Sequence, residues 1–529
     1  MAWNMAVFVF LGLVSLINII HSHAYEDNSN VGHHFFSSYR DRMVRIESIK
    51  ASLLSKNGIS LPPSPSPSPT PTSPPTMSSS PRVYHVTAYG ADPTGEMDST
   101  DAILSAISDA FRAPDEDRVL MPGIRDLGGA EVHLQGGAYK ISRPLRLPAS
   151  GGGNFMIHGG SLRASDDFPT DRHLIELWPS SSSKLTSIEK EEADGPTLEQ
   201  SAADESFSSS YEYITLKDLM LDSNYRGGGI SVINSLRTSI QNCYITHFTT
   251  DGILVQGGHE TFIKDSFLGQ HITAGGDPGE KNFSGIAINL MGNDNAVTDV
   301  AIFSASIGVL VVGQANILTG VHCYNKATGF GGTGIYLPLP GLTQTRIVNC
   351  YLDYTGIVAE DPVQLHVSGS FFLGNAYVAL KSIKGVIRGL NIVDNMFSGD
   401  GSGVDIVKLD QSNGPFTTVD QVVVDRNDVQ GMGLRSTVAR ASVDGSASRW
   451  AVDFSRVLLF PNLIRHVQYS LQVGDGSFPN HALRNVSGNR VVVESDVPVD
   501  ANVYVWVDQS TGYGLDFPPN VVYQAWNTA

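Results

Sequence analysis

The sequence predicts an all-β protein that folds as a parallel β-helix, and three observations support this. A six-residue unit recurs from Leu216 to Val424, in which an apolar residue is followed by a variable residue and then by Asn, Asp or Gly. Successive units begin 20 to 24 residues apart wherever no insertion intervenes. After most units a glycine, such as Gly252, opens a second short apolar run. A fixed period in the twenties with short strands indicates a solenoid of stacked coils.

The repeat units supply the first strand of each coil, and they begin at Leu216, Ile240, Ile263, Val297, Leu318, Ile347, Val367, Ile387 and Val424. A second strand begins at Gly252, Gly285, Gly308, Gly334, Gly356 and Gly403. We expect a positive φ at these glycines, because the chain turns sharply there and glycine adopts such a φ without strain. Leucine-rich repeats have similar periods, but the sequence lacks their Leu-x-x-Leu-x-Leu pattern.

Three segments precede the predicted solenoid. Residues 1–24 indicate a signal peptide, because an apolar run from Val7 to Ile20 is followed by a small-residue cleavage site at Ala24. Residues 25–60 have apolar side chains near helical spacing and predict a short helix. Residues 61–81 alternate Ser or Thr with Pro and predict a stiff polyproline II linker. We therefore expect a secreted, extracellular protein of the cell wall, without a membrane anchor.

The ends of the solenoid need caps, because an uncovered coil would expose its apolar core. The solenoid itself is predicted to span residues 82–435. The segment Asp98 to Phe111 predicts a capping helix with Ser99 or Thr100 at its N-cap. Residues 436–529 predict a C-terminal β extension, because β-type runs begin at Arg456, Arg490 and Val503.

Charge and cysteine content exclude some classes of protein. A net charge of −18 argues against a nucleic-acid ligand. Cys243, Cys323 and Cys350 are too few for a disulfide framework and lack metal-ligand spacing, so we expect free buried thiols, no metal and no cofactor. Asn282 and Asn485 lie in N-glycosylation sequons. We also expect the protein to be a monomer.

The stretch from Val83 to Ile103, which contains Tyr89-Gly-Ala-Asp-Pro-Thr-Gly, resembles the opening motif of the pectate-lyase-superfamily right-handed β-helices. Together with the signal peptide and the Ser/Pro linker, the stretch from Gly313 to Ile335 is similar to the plant QUARTET-type polygalacturonases. This resemblance implies a glycoside hydrolase that cleaves the α-1,4-galacturonan of pectin without a cofactor. It also implies a role in degrading the pollen mother cell wall so that microspores separate.

Inverting hydrolysis of a glycoside needs two carboxyl groups, one to protonate the leaving oxygen and one to activate water. Asp251 is the only carboxylate in its repeat column, and Thr250-Asp-Gly-Ile resembles the Asn-Thr-Asp-Gly-Ile motif whose Asp is catalytic in ordinary polygalacturonases. Phe283 and Ser284 occupy the positions of that family's paired Asp residues. Its Gly-His-Gly and Arg-Ile-Lys motifs are absent from the sequence.

The second carboxyl group has several candidates. Asp277 and Asp294 are the first choices, and Glu260 and Asp353 are weaker ones; each is also compatible with an ordinary turn residue. His322 lies inside a repeat unit, where it faces the core or tunes an acid. Acidic residues in the repeat column of Asp218, Asp265 and Asp299 predict a structural turn ladder with Asn242 and Asn349. Candidates to bind galacturonate carboxylates are Lys264, Lys281, Lys326 and Arg346.

Two other functions stay open at this stage. A Ca²⁺-dependent pectate lyase would need a cluster of carboxylates and a basic residue, and the sequence shows no compact Asp cluster. A non-catalytic wall protein that binds pectin is the other alternative, and the missing motifs are its main support. Hydrolysis is favoured by the motif at Asp251.

Overall fold

The computed structural model describes residues 82–112, 118–179, 210–270, 284–324, 332–338 and 340–510. The predicted signal peptide, helical segment and Ser/Pro linker, residues 1–81, lie outside these ranges. Within them, no helix is long and apolar enough to cross a membrane.

The solenoid is a stack of parallel strands. Strands make up 58% of the structure and helix 4%. Each strand pairs with strands one coil away, as Ile240 pairs with Leu216 on one side and with Ile263 on the other. The strands form one sheet of 25 and a second of ten. The predicted all-β fold, a right-handed parallel β-helix, is confirmed.

The coils contribute to three strips that run along the solenoid. The first strip contains Val83–His85, Ile124–His133, Ser239–Gln241, Phe262–Lys264, Ala296–Thr298, Ile317–Thr319, Arg346–Val348, His366–Ser368, Val386–Val393 and Thr418–Asp425. The second strip contains Ala138–Ile141, Tyr244–Thr246, Phe267–Gly269, Ala301–Phe303, His322–Tyr324, Tyr351–Asp353, Phe371–Leu373, Met396–Ser398 and Asp428–Gln430. Two long strands, Gly152–Ala164 and Tyr211–Asp222, run through both strips.

The third strip is the sheet of ten strands. It contains Leu145–Arg146, His173–Leu177, Gly228–Ile233, Asp251–Gln256, Ser284–Leu290, Ala305–Val311, Thr333–Leu337, Ile357–Glu360, Val378–Lys381 and Val407–Asp410. Short strands precede some first-strip strands, at Ser235–Leu236, Gly341–Leu342 and Pro362–Val363, and Val119–Met121 pairs antiparallel with Ile124–His133.

The core is a stack of apolar side chains in register. In the third strip one such column is fully buried and consists of Ile230, Ile253, Ile288, Val309, Ile335 and Ile357. Since burial stabilises by roughly 25 cal/mol per Å² of apolar surface, each coil depends on its neighbours for stability. Cys243, Cys323 and Cys350 are buried free thiols, as predicted.

The turn between the first and second strips contains the predicted ladder. Asp218, Asn242, Asp265, Asp299 and Asn349 are left-handed, with φ between 49° and 54°. Asn and Asp tolerate this conformation better than other non-glycine residues. Asn242 Nδ2 donates to Asp218 Oδ1 at 2.7 Å, so the ladder also links adjacent coils.

The predicted reason for the glycines of the third strip is wrong at most positions. Gly285 and Gly403 have a positive φ, but Gly252, Gly308, Gly334 and Gly356 do not. A Cβ at Gly252 would lie 2.6 Å from the Ala287 carbonyl oxygen, and one at Gly308 would lie 2.5 Å from that of Gly334. Close approach of neighbouring coils therefore explains these glycines.

Both ends of the solenoid are capped. The helix Thr100–Ala110 buries Ile103 and Ile107, and it follows a short 3-10 turn at Val86–Tyr89. Ser99 occupies the N-cap position, but its side chain makes no cap bond; instead the Thr100 N–H donates to Asp98 Oδ1 at 3.0 Å.

At the C-terminal end lies an antiparallel sheet of Val438–Asp453, His466–Val473, His481–Ser487 and Arg490–Asp508. This sheet has a separate core that includes Trp450, Phe454 and Val503. Leu459 and Phe460, by contrast, belong to the solenoid core, so this region closes the last coil.

Candidate active site

Asp251 is the first residue of its third-strip strand and is mostly buried, with 16% of its side chain exposed. Its Oδ1 accepts a hydrogen bond from Asn289 Nδ2 at 3.1 Å. Asn289 alternates with the fully buried Ile288 and Leu290, which places it on the outer face of the strip. Burial raises the pKa of Asp251 above its ordinary value, and the hydrogen bond from Asn289 opposes this only in part. Asp251 therefore keeps its proton to a higher pH than an exposed Asp, as a general acid requires.

A glycine separates Asp251 from a buried histidine on the other side. Gly228 pairs in register with His173, the first residue of the strand His173–Leu177. A Cβ at Gly228 would lie 2.4 Å from both His173 Cδ2 and the Asp251 carbonyl oxygen. With no side chain there, His173 Nε2 approaches Asp251 Oδ2 to 3.9 Å.

His173 is 5% exposed, and neither of its ring nitrogens has a hydrogen-bond partner among the described residues. Burial, assisted by the charge of Arg172, lowers the pKa of His173 to about 4. The imidazole is therefore neutral over the mildly acidic range. Its unpartnered nitrogens leave it able to contact Asp251 or a ligand beside it.

Two arginines and a tryptophan lie near His173: Arg172 and Trp178 flank the strand His173–Leu177, and Arg146 lies on the adjacent strand Leu145–Arg146. Arg172 forms a bidentate ion pair with the buried Glu176, with Nε–Oε1 at 2.8 Å and Nη2–Oε2 at 2.5 Å. The guanidinium carbons of Arg172 and Arg146 lie 4.6 and 5.5 Å from the centre of the Trp178 ring. Trp178 Nε1 donates to Ser231 Oγ at 2.7 Å, which fixes the ring. Arg146 is exposed and available for an anionic ligand.

A second polar group lies further along the third strip. Glu360 Oε1 accepts from the Tyr336 hydroxyl at 2.7 Å and from Lys381 Nζ at 2.8 Å. On the neighbouring strands Lys408 Nζ lies 3.8 Å above the Tyr377 ring. The third strip therefore has cationic and aromatic groups on both sides of Asp251.

One more carboxylate, Asp222 of the preceding coil, contacts His247 in the turn that leads into the strand of Asp251. Asp222 Oδ1 contacts His247 Nδ1 at 2.8 Å, and Arg163 Nε lies 3.6 Å from its Oδ2. Burial raises the pKa of Asp222, but the hydrogen bonds from His247 and Asn224 outweigh it, and the net shift is downward. Asp251 and Asp222 therefore differ in the direction of their pKa shifts.

Comparison with known proteins identifies the family. No family model matches the chain. The chain is 61% identical to Polygalacturonase QRT3 of Arabidopsis thaliana over 509 residues, which covers 96% of this chain and 98% of that protein. This chain belongs to the plant QUARTET-type polygalacturonases. It is therefore a glycoside hydrolase, as the sequence predicts.

Solved structures resemble this polygalacturonase in fold alone. ORF18 of Geobacillus virus E2 matches with a TM-score of 0.50 and 12% identity, over 79% of this chain and 78% of that one. An endo-xylogalacturonan hydrolase from Aspergillus tubingensis has a TM-score of 0.37 and 12% identity, over 66% of this chain and 92% of that one.

The predicted carboxylates of this polygalacturonase do not all lie near Asp251. Asp294 follows the end of strand Ser284–Leu290, whereas Asp251 pairs near its start, and Asp294 instead contacts His259 Nδ1 at 3.1 Å. Glu260 precedes a first-strip strand and pairs with Arg237 at 2.9 Å. Asp353 ends a second-strip strand, and Asp277 lies outside the described residues.

Lys264, Arg346 and His322 lie on other strips. Lys264 and Arg346 belong to first-strip strands, and Lys281 and Lys326 lie outside the described residues. His322 does not face the core: it alternates with the buried Cys323, and its ring lies 4.4 Å from that of Tyr351. Of the two sequons, Asn485 is exposed and Asn282 lies outside the described residues.

Sequence reasoning missed His173, Asn289 and the Arg172–Glu176 pair. Asn289 comes directly after Gly285-Ile-Ala-Ile in the sequence, but Gln256 and Glu360 follow the corresponding runs of two other coils, so its position in the repeat does not distinguish it. His173 precedes the first recognisable repeat unit at Leu216. No column alignment could therefore place it beside Asp251.

Proposed function

We propose that this polygalacturonase hydrolyses the α-1,4-galacturonan of pectin with Asp251 as its general acid. The observation that carries the proposal is the buried carboxyl of Asp251, whose pKa is raised and whose Oδ1 is held by Asn289 on the outer face of the third strip. Such a group keeps its proton to a higher pH than an exposed Asp does, and when protonated it can donate that proton to a glycosidic oxygen.

The reaction we propose inverts the anomeric carbon. The Asp251 proton passes to the glycosidic oxygen as the bond from that oxygen to C1 breaks, and a water oxygen attacks C1 from the opposite face. A second carboxylate takes the proton of the water. Asp222 is a candidate because its pKa is lowered, and Asp277, Asp294, Glu260 and Asp353 remain predictions for this role.

The outer face of the third strip supports binding of an anionic chain. Arg146, Lys381 and Lys408 lie on third-strip strands on either side of Asp251. Neighbouring strands are about 4.8 Å apart, so the three steps from Arg146 to Asp251 span roughly 14 Å. Lys381 is paired with Glu360, so Arg146 and Lys408 offer the local attraction, although the whole chain carries −18.

The wider role rests on similarity to the Arabidopsis protein and on the sequence. We propose a secreted, monomeric enzyme of the cell wall that acts on pectin of the pollen mother cell wall. Glycosylation at Asn282 and Asn485 is part of the same proposal.

The test is incubation of the purified protein with de-esterified polygalacturonan, with and without EDTA. Hydrolysis predicts new reducing ends, no unsaturated product and no effect of EDTA. In Asp251→Asn we expect turnover to fall by about 10²- to 10⁴-fold, the usual contribution of a general acid.

The matched control is Asp299→Asn in the turn ladder, where Asn accepts the left-handed φ of 52°. It should keep full turnover. EDTA-sensitive unsaturated product would instead establish a lyase, and an Asp251→Asn variant as active as Asp299→Asn would exclude Asp251 as the acid. The same assay with Asp222→Asn and Asp294→Asn ranks the candidates for the second carboxylate.

A further inference from the structure

The C-terminal sheet has an outer face that the solenoid does not cover. Its central strand is Arg490–Asp508, which alternates from Val499 onward, with Val503, Val505 and Val507 in the core. The residues between them point outward, and there Tyr504 is 47% exposed and Trp506 39% exposed. Large aromatic side chains exposed side by side on a soluble protein are typical of a binding surface.

Polar side chains flank the two aromatics on both neighbouring strands. Trp506 pairs in register with Arg440 on one side and Gln468 on the other, and Tyr504 pairs with Ser442 and Ser470. The next outward residue on the central strand, Asn502, donates from Nδ2 to the Tyr504 hydroxyl at 3.2 Å. A shallow cavity of about 400 Å³ lies over Tyr504, Trp506 and their neighbours.

Arg440 is the cation beside the two aromatics, whereas the outward-facing Asp444 and Asp508 lie further along the same strands. Its guanidinium carbon lies 4.8 Å from the centre of the Trp506 ring. Among the described residues, no carboxylate oxygen lies within 4.0 Å of its nitrogens. An arginine held over an aromatic ring and lacking an acidic partner is well suited to pair with a carboxylate of a ligand.

We propose that this face, here called the aromatic face and defined by Arg440, Gln468, Asn502, Tyr504 and Trp506, binds a segment of polygalacturonan. The aromatic rings contact the apolar C–H faces of the sugars, the amides bond to hydroxyl groups, and Arg440 pairs with a uronate carboxylate. From Asn502 to Trp506 the strand advances roughly 13 Å, enough for several sugar units. The choice of ligand rests on the proposed function, whereas the site itself is separate from Asp251.

The polar composition of the face and the position of Arg440 beside the aromatics favour a uronate chain over a protein partner. Every outward residue beside the two aromatics is polar, whereas the centre of a protein interface is depleted of charge. Bound at the aromatic face, the enzyme would stay on the polymer between cleavage events.

The experiment measures binding of the full chain to de-esterified polygalacturonan by affinity gel electrophoresis. All proteins carry Asp251→Asn, so any cleavage of the polymer that remains is the same in each and the comparison reports binding. We expect the Tyr504→Ala/Trp506→Ala variant to bind at least about tenfold more weakly, which equals roughly 1.4 kcal/mol. Phe478→Ala, a fully exposed aromatic of the same region, should bind as the parent does.

Two further measurements keep the outcome clear. Arg440→Gln should weaken binding to de-esterified polygalacturonan and leave binding to fully methyl-esterified pectin unchanged. With Asp251 intact, the double aromatic variant should cleave short oligogalacturonides at the wild-type rate. If the folded double variant and its parent bind the polymer equally well, the aromatic face is not a polygalacturonan-binding site, whatever the hydrolysis assay shows. If the wild type binds the polymer but does not hydrolyse it, only the proposed function is overturned.

Discussion

Burial shifts the pKa values of Asp251 and His173, which are each the first residue of a third-strip strand. Both shifts favour the neutral form of the side chain. The pKa of Asp251 is raised and that of His173 is lowered to about 4. Removing water penalises whichever form is charged, so an acid and a base move in opposite directions. At the 3.9 Å approach of Asp251 Oδ2 to His173 Nε2, burial therefore disfavours the charged form of both groups and so opposes a fixed ion pair. A neutral imidazole leaves the proton of Asp251 available for the substrate.

The buried imidazole predicts a pH dependence of stability. Above the ordinary pKa of 6.5, His173 is neutral in both the folded and unfolded states. Between pH 6.5 and about 4 only the unfolded state takes up a proton, so the free energy of unfolding falls as pH falls, by up to about 3 kcal/mol. Below about pH 4 both states are protonated and this loss ends.

Thermal melting of His173→Asn across pH 4 to 7 tests this expectation, because asparagine does not titrate. The melting temperature of the variant should depend less on pH than that of the wild type. His466→Asn replaces an exposed histidine and should keep the wild-type slope. Parallel curves for His173→Asn and the wild type would show that His173 is already protonated or solvated in the fold.

At the scale of strands and turns, the sequence predicts the features that recur from coil to coil but not the contacts that occur once. The apolar columns and the left-handed Asp–Asn ladder recur in each coil, so their period and chemistry predict both. The position of Asp251 follows from the same alignment. The partners of Asp251 do not follow from the alignment. His173 lies in a coil before the first clear repeat, and Asn289 lies in a strand whose sequence does not stand out from the other repeats. Close packing at Gly252 and Gly308 is also absent from the sequence pattern, since it depends on the distance between coils.

Gly228 is the structural element that allows His173 to reach Asp251. In Gly228→Ala the new Cβ would lie 2.4 Å from His173 Cδ2 and from the Asp251 carbonyl oxygen, so the strands or the imidazole must move. We expect a loss of roughly 1–3 kcal/mol in stability, as in other overpacked sites, together with lower turnover. Melting temperature and the reducing-end assay measure the two effects.

A glycine in open space provides the control for this substitution. A Cβ at Gly474 would have no atom within 4 Å, so Gly474→Ala should change stability by no more than about 0.5 kcal/mol and leave turnover unchanged. If Gly228→Ala behaves like Gly474→Ala, the approach of His173 to Asp251 is not needed for activity.

At the scale of the whole molecule, two hydrophobic cores meet at the last coil. The solenoid core runs from the capping helix to Leu459 and Phe460, which come from the C-terminal region. The C-terminal sheet has its own core, and the Gln509 side chain ties the two regions by bonding to the backbone of Phe460. This arrangement explains how the C-terminal region can cap the solenoid and still present a free outer face. It places the proposed polymer-binding face and Asp251 on one continuous body.

Phe460 should therefore determine whether the last coil stays closed. It is 3% exposed, and Phe460→Ala would leave a cavity between the solenoid core and its cap. Large core truncations of this kind cost about 3–5 kcal/mol, so we expect a clear fall in melting temperature and earlier proteolysis of the last coils. Phe478→Ala makes the same substitution at a side chain that is 99% exposed and should leave both unchanged. Equal melting temperatures for the two variants would mean that the solenoid does not rely on this cap, and its stability would then have to come from the coils alone.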